Sequence, residues 1–406
     1  MEATKLTFEI FSKLEKRWLM EWGNSNTWSS PSSSEEVIKK KTRILTIDGG
    51  GGIKGLAAGA ALVHLEGSLR SSSGDPNALI PEFFDVIVGT GFGGILAAMI
   101  TAADPSSGRP LFSASAAVDF LLSRFRRLFR PTGVLPLLRS RRRTQFSSRS
   151  LESVLREAFV NPEGRALTLK DTCKPILIPC YDLNTAAPFV FSCAGATDSA
   201  SFDFELWRAC RATSATPGLF KPCRLASVDG KTLCVAIDGG LVLNNPAAVA
   251  VTHVLHNKRD FPTVAGVEDL VLLSLGSGSS ARPVEKARRC SKMALLEIVL
   301  DGVSDTVDQF LASAFCWNPR DYIRIQANGF GTEEKDKLEG ARKAGELMLK
   351  ERAVESLPFG GKRLLTQSNE ERIQGLVQRL VARASAKDMP SSPFKGNAVE
   401  CLSDGR

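Results

Sequence analysis

The chain has 406 residues, 43% hydrophobic and 24% charged, enough apolar material for a globular protein of one or two domains with a large core. Its 52 lysines and arginines exceed its 44 acids by eight, which favours an anionic partner such as nucleic acid or an acidic membrane surface. Nine cysteines without a C-x-x-C pair offer neither a disulfide framework nor a zinc site, their odd number fits reduced intracellular thiols, and the longest apolar run, at 95–103, falls short of the roughly 18 residues of a membrane span.

Residues 4–20 alternate charged and apolar side chains at helical spacing, predicting an amphipathic helix without the uninterrupted apolar stretch of a secretory signal. Residues 22–34 are serine-rich and read as a linker, which puts a domain boundary near 40. Position 2 is not glycine and the C-terminus carries no prenylation box, so no lipid anchor is expected. Beyond the linker, short apolar runs alternate with helical stretches, as in a mainly parallel sheet covered by helices on both faces, a three-layer α/β/α arrangement. The predicted strands are 43–47, 84–88, 175–181, 189–192, 233–237 and 270–274. The predicted helices are 56–69, 93–101, 116–129, 151–159 and 246–256. Past 325 the chain turns polar, with surface helices expected at 333–352 and 370–384 and a disordered last twenty residues. The domains expected are 1–40, 41–330 and 331–406, and no internal repeat is apparent.

Three segments carry chemistry. In the first, Arg43-Ile-Leu-Thr-Ile-Asp-Gly-Gly-Gly-Gly-Ile-Lys-Gly, a strand runs into four glycines and then a helix. Backbone N–H groups left bare at a helix start suit a phosphate or an oxyanion that forms during reaction. Gly50, Gly52 and Gly55 also satisfy G-x-G-x-x-G, but a dinucleotide site needs an acid at the end of the second strand, whereas Asp85 sits near that strand's start. A tight turn without a ligand is the plainer alternative.

The second segment, Phe83-Phe-Asp-Val-Ile-Val-Gly-Thr-Gly-Phe-Gly-Gly, has the strand, sharp turn and helix of a nucleophile elbow, G-x-S-x-G, with Gly91 where the serine would stand. Gly89 and Gly93 supply the close packing such an elbow needs, so the backbone device is expected without its nucleophile. The third, Cys234-Val-Ala-Ile-Asp-Gly-Gly-Leu-Val-Leu-Asn-Asn-Pro-Ala, ends a strand on Asp238, which could act as a base at the sheet's carboxyl edge or simply serve a turn. Asn244 or Asn245, followed by Pro246, fits a helix cap. Only three histidines are present, His64, His253 and His256, and no acid or cysteine completes a metal set around the last two.

In order and spacing these segments resemble the patatin family of lipid acyl hydrolases, whose signatures are D-G-G-G-x-[RK]-G, G-x-S-x-G and a later D-G-[GA]. Tyr181-Asp-Leu-Asn-Thr, Ala212-Thr-Ser-Ala-Thr-Pro-Gly-Leu-Phe-Lys-Pro and Leu272-Leu-Ser-Leu-Gly-Ser-Gly extend the resemblance over roughly residues 42–330. The chain looks most similar to the plant patatin-related phospholipases of group III, which carry G-x-G-x-G. The resemblance implies a patatin-like three-layer fold, a serine–aspartate dyad without histidine, no cofactor or metal, and a glycerolipid substrate. Carried over, Gly50, Gly51 and Gly52 form the oxyanion hole, Lys54 takes the place of the usual arginine, Asp238 is the base and Gly91 marks the missing nucleophile.

In well-studied triads, loss of the nucleophile costs about 10⁶ in turnover, yet about 10³ to 10⁴ over water remains. A weak hydrolase is therefore expected, with Asp238 activating a water in the space the serine would fill, and Thr90 pointing elsewhere. The alternative is an inactive lipid-binding or scaffolding protein on the same fold.

The charge has one source. Residues 124–149 hold nine arginines and no acid, while the other 43 basic residues are balanced by the 44 acids. Arg124, Arg126, Arg127, Arg130, Arg141, Arg142 and Arg143 form a candidate patch for an anionic membrane, with Phe146 and Leu135, Leu137 and Leu138 dipping into the interface. A solvated helix face explains them equally, and no recognition motif supports nucleic acid. The expected location is cytoplasmic, peripheral to membranes.

Overall fold

A computed structural model describes residues 41–50, 53–132, 144–161, 163–277, 292–326, 345–357 and 361–384. The helix expected at 4–20, the linker at 22–34 and the last twenty residues lie outside them. Among the described residues no helix is long and apolar enough to cross a membrane.

Eight strands form one sheet: β1 (Thr42–Ile47), β2 (Val86–Gly89), β3 (Ile176–Asp182), β4 (Ala187–Ser192), β5 (Cys223–Ala226), β6 (Leu233–Asp238), β7 (Leu270–Leu275) and β8 (Tyr322–Ile325). Strands β3, β2, β1, β7 and β8 lie side by side in parallel, and β4, β6 and β5 join antiparallel. Side chains of a strand alternate between faces, so a strand covered on both sides must be apolar at nearly every position. In β1, Leu45 and Ile47 enter one core cluster while Ile44 enters the other. The larger cluster packs under α1 (Ile53–Ser73), α2 (Gly91–Thr101), α3 (Ala114–Ser123), α4 (Ser148–Ala158) and α5 (Leu206–Thr213). The opposite face is covered by α6 (Ala247–His256) and α7 (Lys292–Ala314). Three layers with a mainly parallel sheet result, as the alternation of the sequence implies.

The connection at β3 fixes the site. Leu177 pairs with both Val88 and Ser192, and Tyr181 with both Pro188 and Ile237. Strand β4 thus occupies one edge of β3 from end to end, while β2 and β6 share the other. Because β2 runs parallel to β3 and β6 antiparallel, their carboxyl ends point at each other across Ile178 and Pro179.

Several elements depart from the sequence reading. The helix expected at 116–129 breaks at Arg124, where φ is −105° and ψ 8°, and resumes as a turn at Phe125–Leu128. The helix expected at 333–352 falls partly outside the described residues; 345–350 are helical, but Arg352 opens β9 (Arg352–Leu357), which pairs antiparallel with β10 (Gly361–Ser368). The final helix, α8 (Asn369–Ala384), buries Ile373, Leu376, Val377 and Leu380 in the larger cluster. Strands β5 and β8 and helices α5 and α7 have no counterpart in the sequence reading. The four-residue strands are too short for a period to register, and Arg324 interrupts the apolar pattern of β8.

Candidate active site

The carboxyl ends of β1, β2 and β6 meet above the sheet. At the end of β1, Asp48 is buried and its Oδ1 and Oδ2 receive Nη1 and Nη2 of Arg324 at 2.7 and 2.5 Å. Ser304 Oγ donates to Oδ2 at 3.3 Å, and Arg324 also donates to Ser274 Oγ at 2.7 Å. Burial pushes Asp48 upward in pKa against the pull of Arg324, and Arg324, which burial alone would lower, is held far above its ordinary value by the carboxylate. This charge-assisted fork anchors the glycine loop from below. Gly49 N–H donates to the Asn244 carbonyl at 2.9 Å, and a Cβ on Gly49 would sit 2.8 Å from Asn244 Oδ1. Gly50 lines the cleft. Gly51 and Gly52 lie outside the described residues, and Lys54 is placed only by its position in the first turn of α1.

At the end of β2 the chain turns sharply into α2. Gly91 has φ +54°, the left-handed region that costs a side-chain-bearing residue strain. Its N–H donates to Thr213 Oγ1 at 2.8 Å, and that hydroxyl donates to the Pro179 carbonyl at 2.6 Å. Neither neighbouring glycine has room for a side chain: a Cβ on Gly89 would lie 2.3 Å from the Gly93 carbonyl oxygen, and one on Gly93 2.4 Å from that of Asp48. At Gly91 itself a Cβ would fit in ordinary contact, with Asp238 Oδ1 at 3.4 Å, Gly49 Cα at 3.5 Å and Gly50 N at 3.7 Å. Thr90 is fully buried and its hydroxyl donates to the Leu243 carbonyl at 2.8 Å, away from the cleft.

Asp238 closes the arrangement. Its Oδ1 accepts from Gly240 N–H at 2.8 Å and its Oδ2 from Thr216 Oγ1 at 2.5 Å. Burial raises its pKa above the ordinary carboxylate value, against the lowering effect of those two bonds. Asp238, Gly91, Gly50, Ser214 and Thr216 share a cleft of about 380 Å³, open mouth included, whose other walls are Phe92, Ile95, Leu128, Phe129, Leu151, Leu219 and Phe220. A mainly apolar cleft with a carboxylate and the Gly50 backbone in its lining can take an acyl chain with its carbonyl beside Asp238.

The structure thus brings together Gly50, Gly91 and Asp238, which are far apart in sequence. Pro246, not an asparagine, holds the N-cap position of α6; Asn245 Oδ1 accepts from Ala247 N–H at 3.1 Å in the turn before it, and Asn244 braces the glycine loop. Asp85 spends its carboxylate on Arg43 N–H at 2.8 Å, at the amino end of β2 and far from a ribose-binding position. No group of histidine, cysteine, aspartate and glutamate with metal-binding geometry occurs among the described residues. Sequence reasoning missed Thr213, Thr216 and Arg324. The first two stood in the quoted Ala212–Pro222 stretch, but nothing local tied them to Asp238 or Gly91.

The arginine segment makes two sets of contacts within the fold. Arg124 and Arg127 both pair with the one carboxylate of Glu157 of α4, which offsets one of their two charges, and Arg124 also lies 3.8 Å over the ring of Phe120. Phe146 does not point outward: its ring packs 5.3 Å from Phe129 and 5.8 Å from Phe220, two residues of the cleft wall, and is partly buried against the larger core cluster. Arg126 and Arg130 are exposed, while Arg141, Arg142 and Arg143 and the three leucines lie outside the described residues.

A family model for patatin-like phospholipases matches residues 47–251, the span from the end of β1 into α6. The chain is 54% identical, over all of both chains, to "Probable inactive patatin-like protein 9" of Arabidopsis thaliana. It is 42% identical to "Patatin-like protein 7" of the same plant, covering 97% of this chain and 85% of that one. Against "Patatin-like protein 3" of Oryza sativa subsp. indica the identity is 38%, over 93% and 91%.

Proposed function

The chain belongs to the patatin-like phospholipase family, and from that premise we propose that it is a slow lipid acyl hydrolase that releases fatty acids from glycerolipids at an anionic membrane surface. The observation that carries this reading is the Asp238 carboxylate, raised in pKa and held by Thr216 and Gly240 in the wall of a mainly apolar cleft. A base of that kind can take the proton of an attacking hydroxyl or water. Gly50, Gly51, Gly52 and Lys54 are the groups that would meet the negative charge developing on the ester carbonyl oxygen. The apolar walls would hold the acyl chain, and the exposed Arg126 and Arg130, with Arg141, Arg142 and Arg143, would face lipid phosphates.

Fatty acid release from mixed anionic vesicles by the purified chain tests the reading. Slow turnover should be lost in Asp238→Ala, and full activity in that variant would overturn it. The second reading, lipid binding without turnover, is favoured by the bare Gly91 and by the word "inactive" in the name of the 54%-identical relative. It is distinguished by a chain that binds a fluorescent fatty acid in the cleft but releases none from vesicles.

A further inference from the structure

With no side chain at Gly91, some other group must make the first attack, and the hydroxyls around the cleft can be sorted by what they already bond. Thr90 Oγ1 is committed to the Leu243 carbonyl, Thr213 Oγ1 to the Pro179 carbonyl, and Ser214 Oγ to the Cys210 carbonyl. Thr216 Oγ1 instead donates to Asp238 Oδ2 at 2.5 Å, and Thr216 is partly exposed in the cleft wall. That is the contact a nucleophile makes with its base.

The backbone holds the pair in register. Asp238 N–H donates to the Ala215 carbonyl at 3.2 Å, so the residue before Thr216 is tied to the base itself. The Thr216 carbonyl accepts from Leu219 and Phe220 N–H at 3.0 and 2.9 Å, closing a tight turn in which Gly218 has φ +83°. Gln145 and Phe146 N–H donate to the carbonyls of Gly218 and Leu219, both at 2.9 Å, bracing the turn from outside. A hydroxyl fixed this way costs little reorganisation when it reacts.

We infer that Thr216 Oγ1 is the nucleophile and that the reaction passes through an acyl-threonine; the inference rests on the hydrolase reading above. In the first half, Asp238 Oδ2 takes the Thr216 proton as Oγ1 bonds to the ester carbonyl carbon and the carbonyl π pair moves onto oxygen near the Gly50 amide. Collapse breaks the bond to the lipid alcohol, which leaves with the proton from Asp238. In the second half, a water in the open space beside Gly91, which Asp238 Oδ1 faces, gives its proton to the carboxylate and adds to the acyl carbon. Collapse then breaks the acyl–Oγ1 bond, Thr216 recovers the proton from Asp238, and the fatty acid departs. The two oxygens of one carboxylate thus serve the two halves, and the space vacated by the serine becomes the place of the hydrolytic water.

The experiment uses the full chain and 4-nitrophenyl decanoate. Wild type should give a burst of nitrophenol, and acid-quenched protein should carry one decanoyl group mapping to the peptide that contains Thr216. Thr216→Ser should keep the adduct. Thr216→Val, close in shape, should keep the fold by thermal melting but lose the adduct and at least about 100-fold in kcat. Retention of the adduct in Thr216→Val, an adduct on another residue, or a kcat within a few-fold of wild type would overturn the inference. So would a slowed Thr216→Val whose wild-type parent never acylates and whose acid limb only moves to higher pH, because that pattern belongs to a residue that positions Asp238 by lowering its pKa. Asp238→Asn separates the two proposals: its inactivity alongside an active Thr216→Val leaves the hydrolase standing without the acyl-threonine, and no turnover by wild type sinks both.

Discussion

At Gly91 the chain bends into the left-handed region of an elbow and then presents no side chain. The spacing around that position makes the loss reversible in principle. A Cβ placed there meets Asp238 Oδ1, Gly49 Cα and Gly50 N at 3.4 to 3.7 Å, ordinary contact distances. Gly91→Ser should therefore fold with a lowered melting temperature, since a non-glycine residue at positive φ stores about 1–3 kcal/mol. It should also gain rapid labelling by a fluorophosphonate, its Oγ entering the space between the Asp238 carboxylate and the Gly50 amide. A folded but unlabelled variant would show that the bend is a packing feature only. At this scale the sequence was informative where glycine itself was the signal: Gly89, Gly91 and Gly93 are readable because a missing Cβ has one steric meaning. Thr216 was not, because its role comes from a carboxylate 22 residues away that only the sheet brings to it.

Among elements, the Asp48–Arg324 pair joins the ends of β1 and β8 across the intervening β7, and through Asp48 it supports the glycine loop. Both side chains are nearly sealed from water, at 1% and 5% exposure, so removing one partner strands the other charge. Arg324→Met should lose about 3–5 kcal/mol of unfolding free energy in urea, and Asp48→Leu a similar amount. Combined, the two should cost much less than their sum, because the double variant strands no charge. Strict additivity would mean that the two side chains stabilise the fold separately. This pair also accounts for the part of the fold that was hidden in the sequence. Strands β2, β3 and β7 are apolar nearly throughout and announce themselves, and β1 keeps the Ile44-Leu45 and Ile47 core despite its buried Arg43, whereas β8 is four residues long and carries a buried arginine that a pattern reading assigns to solvent. An arginine 276 residues from its aspartate has no local signature.

Over the whole molecule, the segregation of charge was legible and its availability was not. Composition alone located the excess in residues 124–149, but Glu157 arrives from α4 and takes up Arg124 and Arg127. Of the exposed arginines, Arg127 shares Glu157 with Arg124, which leaves Arg126 and Arg130 as the pair to test. In flotation with vesicles rich in anionic lipid, Arg126→Glu with Arg130→Glu should reduce the bound fraction several-fold, and raising salt should weaken wild type in the same direction. Binding that is equal on neutral vesicles would exclude an electrostatic patch. The segment is also part of the cleft: Leu128 and Phe129 line it, and Gln145 and Phe146 brace the turn that holds Thr216. A surface that engages these arginines therefore meets the same stretch of chain that walls the acyl slot.

The shared edge of β3 has one more consequence. Elbow strand and base strand are not separately suspended; both are read off the same backbone, with Val88 opposite Leu177 and Asp238 opposite Cys180. Strand β3 acts as a ruler: three of its residues, about 10 Å, separate Val88 from Asp238 and so fix where the elbow after β2 meets the carboxylate. Side chains can come and go at position 91 without changing that gap, whereas one residue inserted into β6 would move Asp238 by about 3.3 Å and turn it to the opposite face. The chemistry of this protein is thus easy to alter by substitution and hard to misalign by it, and insertions or deletions near β3 are the changes that would erase it for good.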